Sequence, residues 1–149
     1  MNKSNKTITI CSSASFYKDV LEIERKLKKL GFQVKIPQTA YKMQKSGNFK
    51  VEDYKTWFRN KDDYRRKTKL MNDHFKKVIQ GDAILVINKE KKGIAGYIGG
   101  NTLMEMTLAY YHKKKIFIWD EIDSSLPIEE EVRGLNPIFV EKNLSRIII

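Results

Sequence analysis

Gly93-Ile-Ala-Gly-Tyr-Ile-Gly-Gly-Asn-Thr-Leu-Met-Glu-Met-Thr-Leu-Ala109 is the stretch whose reading decides the fold. It holds four of the chain's eight glycines. The apolar run Ala83 to Val86 precedes it and reads as a buried strand. After Gly99 and Gly100 the pattern turns helical, from about Thr102 to His112, with Glu105 in the first turn. A strand, a glycine-rich loop and a helix N-terminus in that order make a place for a polar or anionic ligand. The loop is neither the phosphate loop of nucleotide triphosphatases nor the dinucleotide fingerprint, because neither glycine spacing occurs. Paired glycines before a helix still let backbone N–H groups approach a ligand, and a plain turn does not need four.

Glu105 has two readings. Thr102-Leu-Met-Glu105 has the spacing of a capping box, in which hydroxyl and carboxylate each bond the other residue's amide. A carboxylate at the mouth of a ligand loop is equally suited to chemistry. Asn101 reads as a cap or a ligand donor, and Tyr97 as a lid, a stacking partner or a core aromatic.

Working outward, Thr7 to Cys11 is β-branched and reads as the first strand. Ser12, Ser13 and Ser15 follow as capping residues or, under a pocket, as hydroxyl donors. Phe16, Val20, Ile23, Leu27 and Leu30 form one helical face, which Gly31 ends. Phe32, Val34 and Ile36 alternate as a second strand, closed by Pro37. Thr39 to Arg66 is irregular, with a helix expected over Val51 to Asn60. A longer helix over Asp62 to Gln80 puts Leu70, His74, Phe75, Val78 and Ile79 on one face. The third strand is Ala83 to Asn88 and the fourth Ile116 to Trp119. A short helix over Ile128 to Leu135 and β-like pieces at Ile138 to Val140 and Ile147 to Ile149 close the chain. Alternating strands and helices predict one doubly wound parallel α/β sheet, covered on both faces. Ligands then bind beyond the carboxyl ends of the strands, where Cys11 to Phe16, Asn88 to Glu105 and Asp120 to Asp123 are expected to meet.

The chain has 149 residues, enough for one domain with a sizeable core. No apolar run is long enough for a membrane span, and Met1 to Lys6 lacks the apolar core of a leader, so a cytoplasmic location is expected. The net charge of +11 favours anionic partners. A nucleic-acid partner is not favoured, since the aromatic and basic residues of Tyr41 to Arg66 read as a solvated face with a few core aromatics. The single cysteine, Cys11, reads as a small core residue. With His74 and His112 it shows no metal-ligand spacing, and neither a metal nor another cofactor is expected. His74 reads as a partly buried histidine, and Asp73 as a cap or a solvated charge.

Four segments carry a resemblance: Thr7-Ile-Thr-Ile-Cys-Ser-Ser, Asp82-Ala-Ile-Leu-Val-Ile-Asn88, Gly99-Gly-Asn-Thr-Leu-Met-Glu105-Met and Lys115-Ile-Phe-Ile. Together they resemble the nucleoside 2-deoxyribosyltransferase superfamily, which includes nucleoside 5′-monophosphate N-glycosidases. The segment Glu129-Glu-Glu-Val-Arg-Gly-Leu-Asn-Pro-Ile is similar to the close of its members. The resemblance implies a flavodoxin-like sheet of about five strands and cleavage or transfer of an N-glycosidic bond in a nucleoside or nucleotide. It also implies Glu105 as nucleophile and a homodimer or larger homo-oligomer that completes the site. Members carry an aspartate in the helix before the third strand; that register, eight residues ahead of Asp82, holds His74 here, with Asp73 one place off. These two are candidates for positioning or acid–base work. Ser12, Ser13, Asn88, Tyr97, Gly99, Gly100 and Asn101 are the residues expected to line the pocket. Rival readings are a nucleotide-binding sensor that lost the chemistry, and NAD cleavage as in TIR-type domains.

Overall fold

The computed structural model describes residues 5–149; residues 1–4, the start of the stretch read for a leader, lie outside it. Five strands, β1 (Thr7–Ser12), β2 (Gln33–Lys35), β3 (Ala83–Ile87), β4 (Lys115–Ile118) and β5 (Ile138–Phe139), form one sheet in the order β2-β1-β3-β4-β5. Every pairing is parallel. This is the flavodoxin-like strand order, with its switch point between β1 and β3. There the chain leaves β1 toward one edge and resumes from β3 toward the other, so the connections part and leave a crevice at the carboxyl ends. The register Cys11↔Val86 and Ser12↔Ile87 sets the floor of that crevice.

Period-two alternation sorts the strands between two cores. Ile8, Ile10, Leu85, Ile87 and Phe117 point toward α1 (Tyr17–Lys29), where Val20, Ile23 and Leu27 meet them. Cys11, Ile84, Val86, Ile116 and Ile118 point the other way. They pack on Val78 of α3 (Tyr64–Gln80), on Met106 and Ala109 of α4 (Gly100–Tyr111), and on Val132 of α5 (Glu129–Gly134). Burial on both faces explains why the central strands read as apolar runs. Cys11 thus lies on the face that α3 and α4 cover. Among the described residues no helix is long and apolar enough to cross a membrane.

The connection from β2 to β3 differs from expectation. The helix expected over Val51 to Asn60 is instead two short 3₁₀ turns, Val51–Asp53 and Thr56–Phe58, followed by a third at Lys61–Asp63. The segment read as irregular contains a helix, α2 (Gln38–Ser46), entered after Pro37 and closed by Gly47 at φ +72°. Buried Ala40 and Met43 anchor it. At the C-terminus Ile147–Ile149 is not a strand; Leu144–Arg146 makes a 3₁₀ turn and Ile147 drops into the core.

Gly96, in the loop after β3, has φ +67° and packs directly against the backbone of Glu121 and Ile122. A Cβ there would overlap the Glu121 carbonyl oxygen and occupy a backbone region disfavoured for side chains. Gly96→Ala is expected to cost roughly 2 kcal/mol or more, read as a shift of the midpoint in urea unfolding.

Candidate active site

Helix α4 begins at Gly100 with Gly99 in the cap position and no side-chain cap. Thr102 therefore lies inside the first turn, fully buried, and the capping box with Glu105 does not form. Glu105 instead turns inward and is only 3% exposed. Its Oε1 accepts a hydrogen bond from Asn101 Nδ2 at 2.7 Å, one turn back on the same helical face. Its Oε2 has no well-formed hydrogen bond among the described residues.

The nearest groups to that oxygen come from β1 and α3. His74 Nε2 is 3.5 Å from it. The same nitrogen donates to the Ile10 carbonyl at 3.0 Å, and a carbonyl only accepts, so Nε2 carries the ring proton. Nδ1 is then a lone pair, buried and without a partner among the described residues. Cys11 Sγ is 3.6 Å from Nε2.

Burial governs the charges here. It pushes Glu105 up to about 7, against the opposing pull of the Cys11 thiol, the Lys67 charge and the Asn101 amide. Burial, with help from the Lys77 charge, takes His74 down to about 4. Burial first, and the Glu105 charge second, hold the Cys11 thiol well above its ordinary value. The imidazole is therefore neutral at pH 7, and its contact with Glu105 is not an ion pair.

No metal-ligand pattern is visible along the chain, yet folding brings donor atoms of Cys11, His74 and Glu105 within 4.8 Å of one another. A thiolate, imidazole and carboxylate set is of the kind that holds zinc. Loading it would require removing the thiol proton that burial keeps in place.

The cleft above Glu105 has two compartments. One, partly open to solvent, is lined by Tyr17, Tyr54, Trp57, His74, Asn101 and Glu105. The other is lined by Ser13, Lys55, Lys67, Lys91, Tyr97 and Gly100 among others. Tyr17, Lys55, Lys67 and Asn101 line both and make them continuous. Burial, followed by the charge of Glu105, holds the Tyr17 phenol in its protonated form.

Of the residues expected at the site, Glu105 and His74 lie in the first compartment, Ser12, Ser13, Tyr97, Gly99 and Gly100 in the second, and Asn101 in both. Asn88 is not with them. It is buried and binds Asp120 and Gly96, so it fixes the loop rather than lining the pocket. Asp120 lines a separate hollow with Asn88, and Asp123 makes its bonds to Ser124 and Ser125, so the third converging segment does not reach Glu105. Asp73 faces outward, 44% exposed, and pairs with Lys77 at 3.0 Å.

Sequence reasoning missed Lys55, Trp57 and Lys67. A signal was present for the last: Lys67, Leu70, Met71 and His74 follow the three-and-four spacing of one helical face, and all four line the first compartment.

The strand order and this cleft define the class: a flavodoxin-like α/β fold with a buried carboxylate under the carboxyl edge of its sheet. No family model matches the chain, and no curated protein matches it. Among solved structures the chain is similar to the CMP N-glycosidase BcmB of Clostridium botulinum, with a TM-score of 0.49 and 16% identity, over 91% of this chain and 88% of that one.

Proposed function

We propose that the protein cleaves or transfers the N-glycosidic bond of a nucleoside or nucleotide, with Glu105 as nucleophile. The observation that carries this reading is the state of Glu105. It is a buried carboxyl whose Oε1 is held by Asn101 and whose Oε2 is left without a well-formed partner, at the base of a cleft with aromatic walls. A carboxylate so placed can attack the anomeric carbon as the C–N bond breaks, the base leaving with the bonding pair. Water or a second base then takes the sugar from Glu105. Ionised Glu105 also opposes the positive charge that grows on the sugar in the transition state. Trp57 and Tyr54 suit a flat, apolar base.

The role of His74 in this reading is to position. Its only ring proton is bonded to Ile10, and it is neutral near pH 7, so it does not protonate the departing base. A homodimer or larger assembly that completes the cleft belongs to the same proposal; sedimentation of the purified protein checks it.

The test is product analysis on a panel of nucleosides, 5′-monophosphates and NAD, comparing wild type with Glu105→Gln. Glutamine retains an oxygen for the Asn101 bond. Wild type is expected to release free base from at least one panel member, and the variant to do so about 1000-fold more slowly or not at all. Equal rates would remove Glu105 from the chemistry. Binding of a panel member without turnover by wild type would favour a nucleotide-sensing domain instead.

A further inference from the structure

Cys11, His74 and Glu105 come from three separate elements, β1, α3 and α4, and all three are buried. Their donor atoms lie within 4.8 Å of one another. His74 Nε2 sits between the other two, 3.6 Å from Cys11 Sγ and 3.5 Å from Glu105 Oε2. Around a tetrahedral zinc ion, with bonds of about 2.3 Å to sulfur and about 2.0–2.1 Å to nitrogen and oxygen, neighbouring donor atoms stand roughly 3.3–3.6 Å apart. These two separations therefore already have the spacing that a shared zinc ion imposes. Each residue sits on a strand or a helix rather than a loop, so packing holds that spacing.

The three groups satisfy one another poorly. Glu105 Oε2 and His74 Nδ1 lack hydrogen-bond partners among the described residues. The Cys11 thiol faces the carboxyl only as a weak donor. The imidazole is neutral near pH 7, so the trio contains no positive charge. Ionising the thiol and the carboxyl together would place two negative charges side by side out of water. A dication reverses that balance. Zn²⁺, one thiolate, one carboxylate and one neutral imidazole sum to zero charge, so groups that resist ionising singly can ionise around the metal.

We infer that Cys11 Sγ, His74 Nε2 and Glu105 Oε2 form a binding site for a zinc ion, and that the ion masks Glu105. Binding releases the thiol proton to solvent, and the carboxyl proton where one is present. The imidazole stays neutral. Its proton leaves Nε2, which gives up the Ile10 carbonyl, and Nδ1, which has no partner to lose, takes one up. Three protein ligands leave the fourth tetrahedral position to water. His74 and Glu105 both line the first compartment of the cleft, which gives the ion a route in. Thiolate and imidazole select zinc over magnesium and calcium, which take oxygen ligands. With Oε2 bound to zinc, the oxygen proposed to attack the sugar is taken. The site stands on its own geometry, and only the masking rests on the glycosidic reading.

The experiment titrates the chelator-treated protein with zinc and, in parallel, with cobalt(II) as a spectroscopic stand-in. Wild type is expected to bind one zinc per chain with a Kd of about 1 μM or tighter, and magnesium at least about 100-fold more weakly. Cobalt is expected to give a thiolate-to-metal charge-transfer band in the near ultraviolet and the intense visible bands of a four-coordinate ion. Cys11→Ser is expected to abolish the charge-transfer band and to weaken zinc about 100-fold or more, and His74→Phe to weaken zinc by a similar factor. His112→Ala, at the exposed histidine, is expected to change neither. Circular dichroism confirms that each variant is folded, and the wild-type cobalt spectrum identifies the thiolate ligand without any variant.

No zinc bound at about 100 μM free metal would overturn the site. So would a cobalt spectrum without the thiolate band, zinc affinity unchanged in Cys11→Ser and His74→Phe, or equal affinity for magnesium. The masking is read on whichever nucleoside or nucleotide releases base: one equivalent of zinc is expected to stop release, and chelator to restore it. If base is released and no zinc binds, the site fails and the role of Glu105 stands. If zinc binds through Cys11 and the metal-free protein releases no base from any panel member, the site stands and the catalytic reading fails. Zinc bound through Cys11 with base release undiminished would overturn the masking.

Discussion

At pH 8, Glu105→Gln is expected to unfold at a higher temperature than wild type. Glu105 has an ordinary carboxyl value of 4.5 when exposed and about 7 when folded, because burial disfavours its charge. Folding therefore opposes ionisation, and ionisation opposes folding. Above pH 7 the ionised carboxyl costs the native state roughly 3 kcal/mol, a cost that shrinks as pH falls through 7 toward 4.5. Glutamine removes the charge and keeps the Asn101 bond, so the gain should be largest at pH 8 and nearly absent at pH 4.5. Chemical denaturation at both pH values measures it. A variant no more stable than wild type at pH 8 would mean that Glu105 is solvated better than its burial implies.

The neighbouring imidazole has the opposite dependence. His74 falls from 6.5 to about 4 on folding, so its contribution is present above pH 6.5 and is lost as pH falls toward 4. In wild type the two trends largely cancel. The folded pair holds one proton between about 4 and 7, and the exposed groups hold one between 4.5 and 6.5. Folding moves that proton from the imidazole to the carboxyl without much changing the number bound. Stability of the wild type should therefore be almost flat across this range as far as this pair is concerned. Glu105→Gln loses the compensation and should weaken on acidification from pH 6.5.

The second large effect is expected at Asn88, which is only 1% exposed. Its Nδ2 donates to the Asp120 carbonyl at 2.8 Å and to the Gly96 carbonyl at 3.4 Å, while its Oδ1 accepts from the Asp120 amide at 2.9 Å. One amide side chain thus joins the end of β3, the segment after β4 and the glycine loop. Asn88→Ala would leave these backbone groups without their side-chain partner. A loss of roughly 2–4 kcal/mol is expected in urea unfolding. Asn88→Asp keeps the acceptor but turns a carboxylate oxygen toward two carbonyls, so it should behave more like alanine than like wild type. If Asn88→Ala unfolded with the wild-type midpoint, Asn88 would not be the tie that holds this loop.

The sheet was legible because its central strands are buried on both faces and therefore read as unbroken apolar runs. The position of the cleft was legible because strand, loop and helix occur in order at Ala83 to Ala109. Glu105 was visible as a candidate, but its two readings share the same letters. They separate only because α4 starts at Gly100, which puts Thr102 inside the helix instead of at its cap. Asn88 was identified as a polar residue at the right strand end, but its role was not, since an amide that binds a ligand and one that staples a loop look alike in sequence. The partners of Cys11 lie on α3 and α4, and only the sheet register and packing bring them together. Lys55 and Trp57 were hidden by the 3₁₀ turns around them, which have no periodicity to distinguish an inward side chain from a solvated one.

Those turns have a consequence for how the molecule can change. Val51 and Trp57 of the first two turns, with Tyr54 and Lys55 between them, supply a wall of the cleft, and of the residues in the three turns only Trp57 is buried. Insertions and substitutions here meet little of the close packing that penalises changes elsewhere. Selection can therefore reshape what the cleft admits while the sheet and Glu105 stay as they are. A library confined to residues 51–63 should yield folded proteins of altered preference far more often than one confined to β1 or β3.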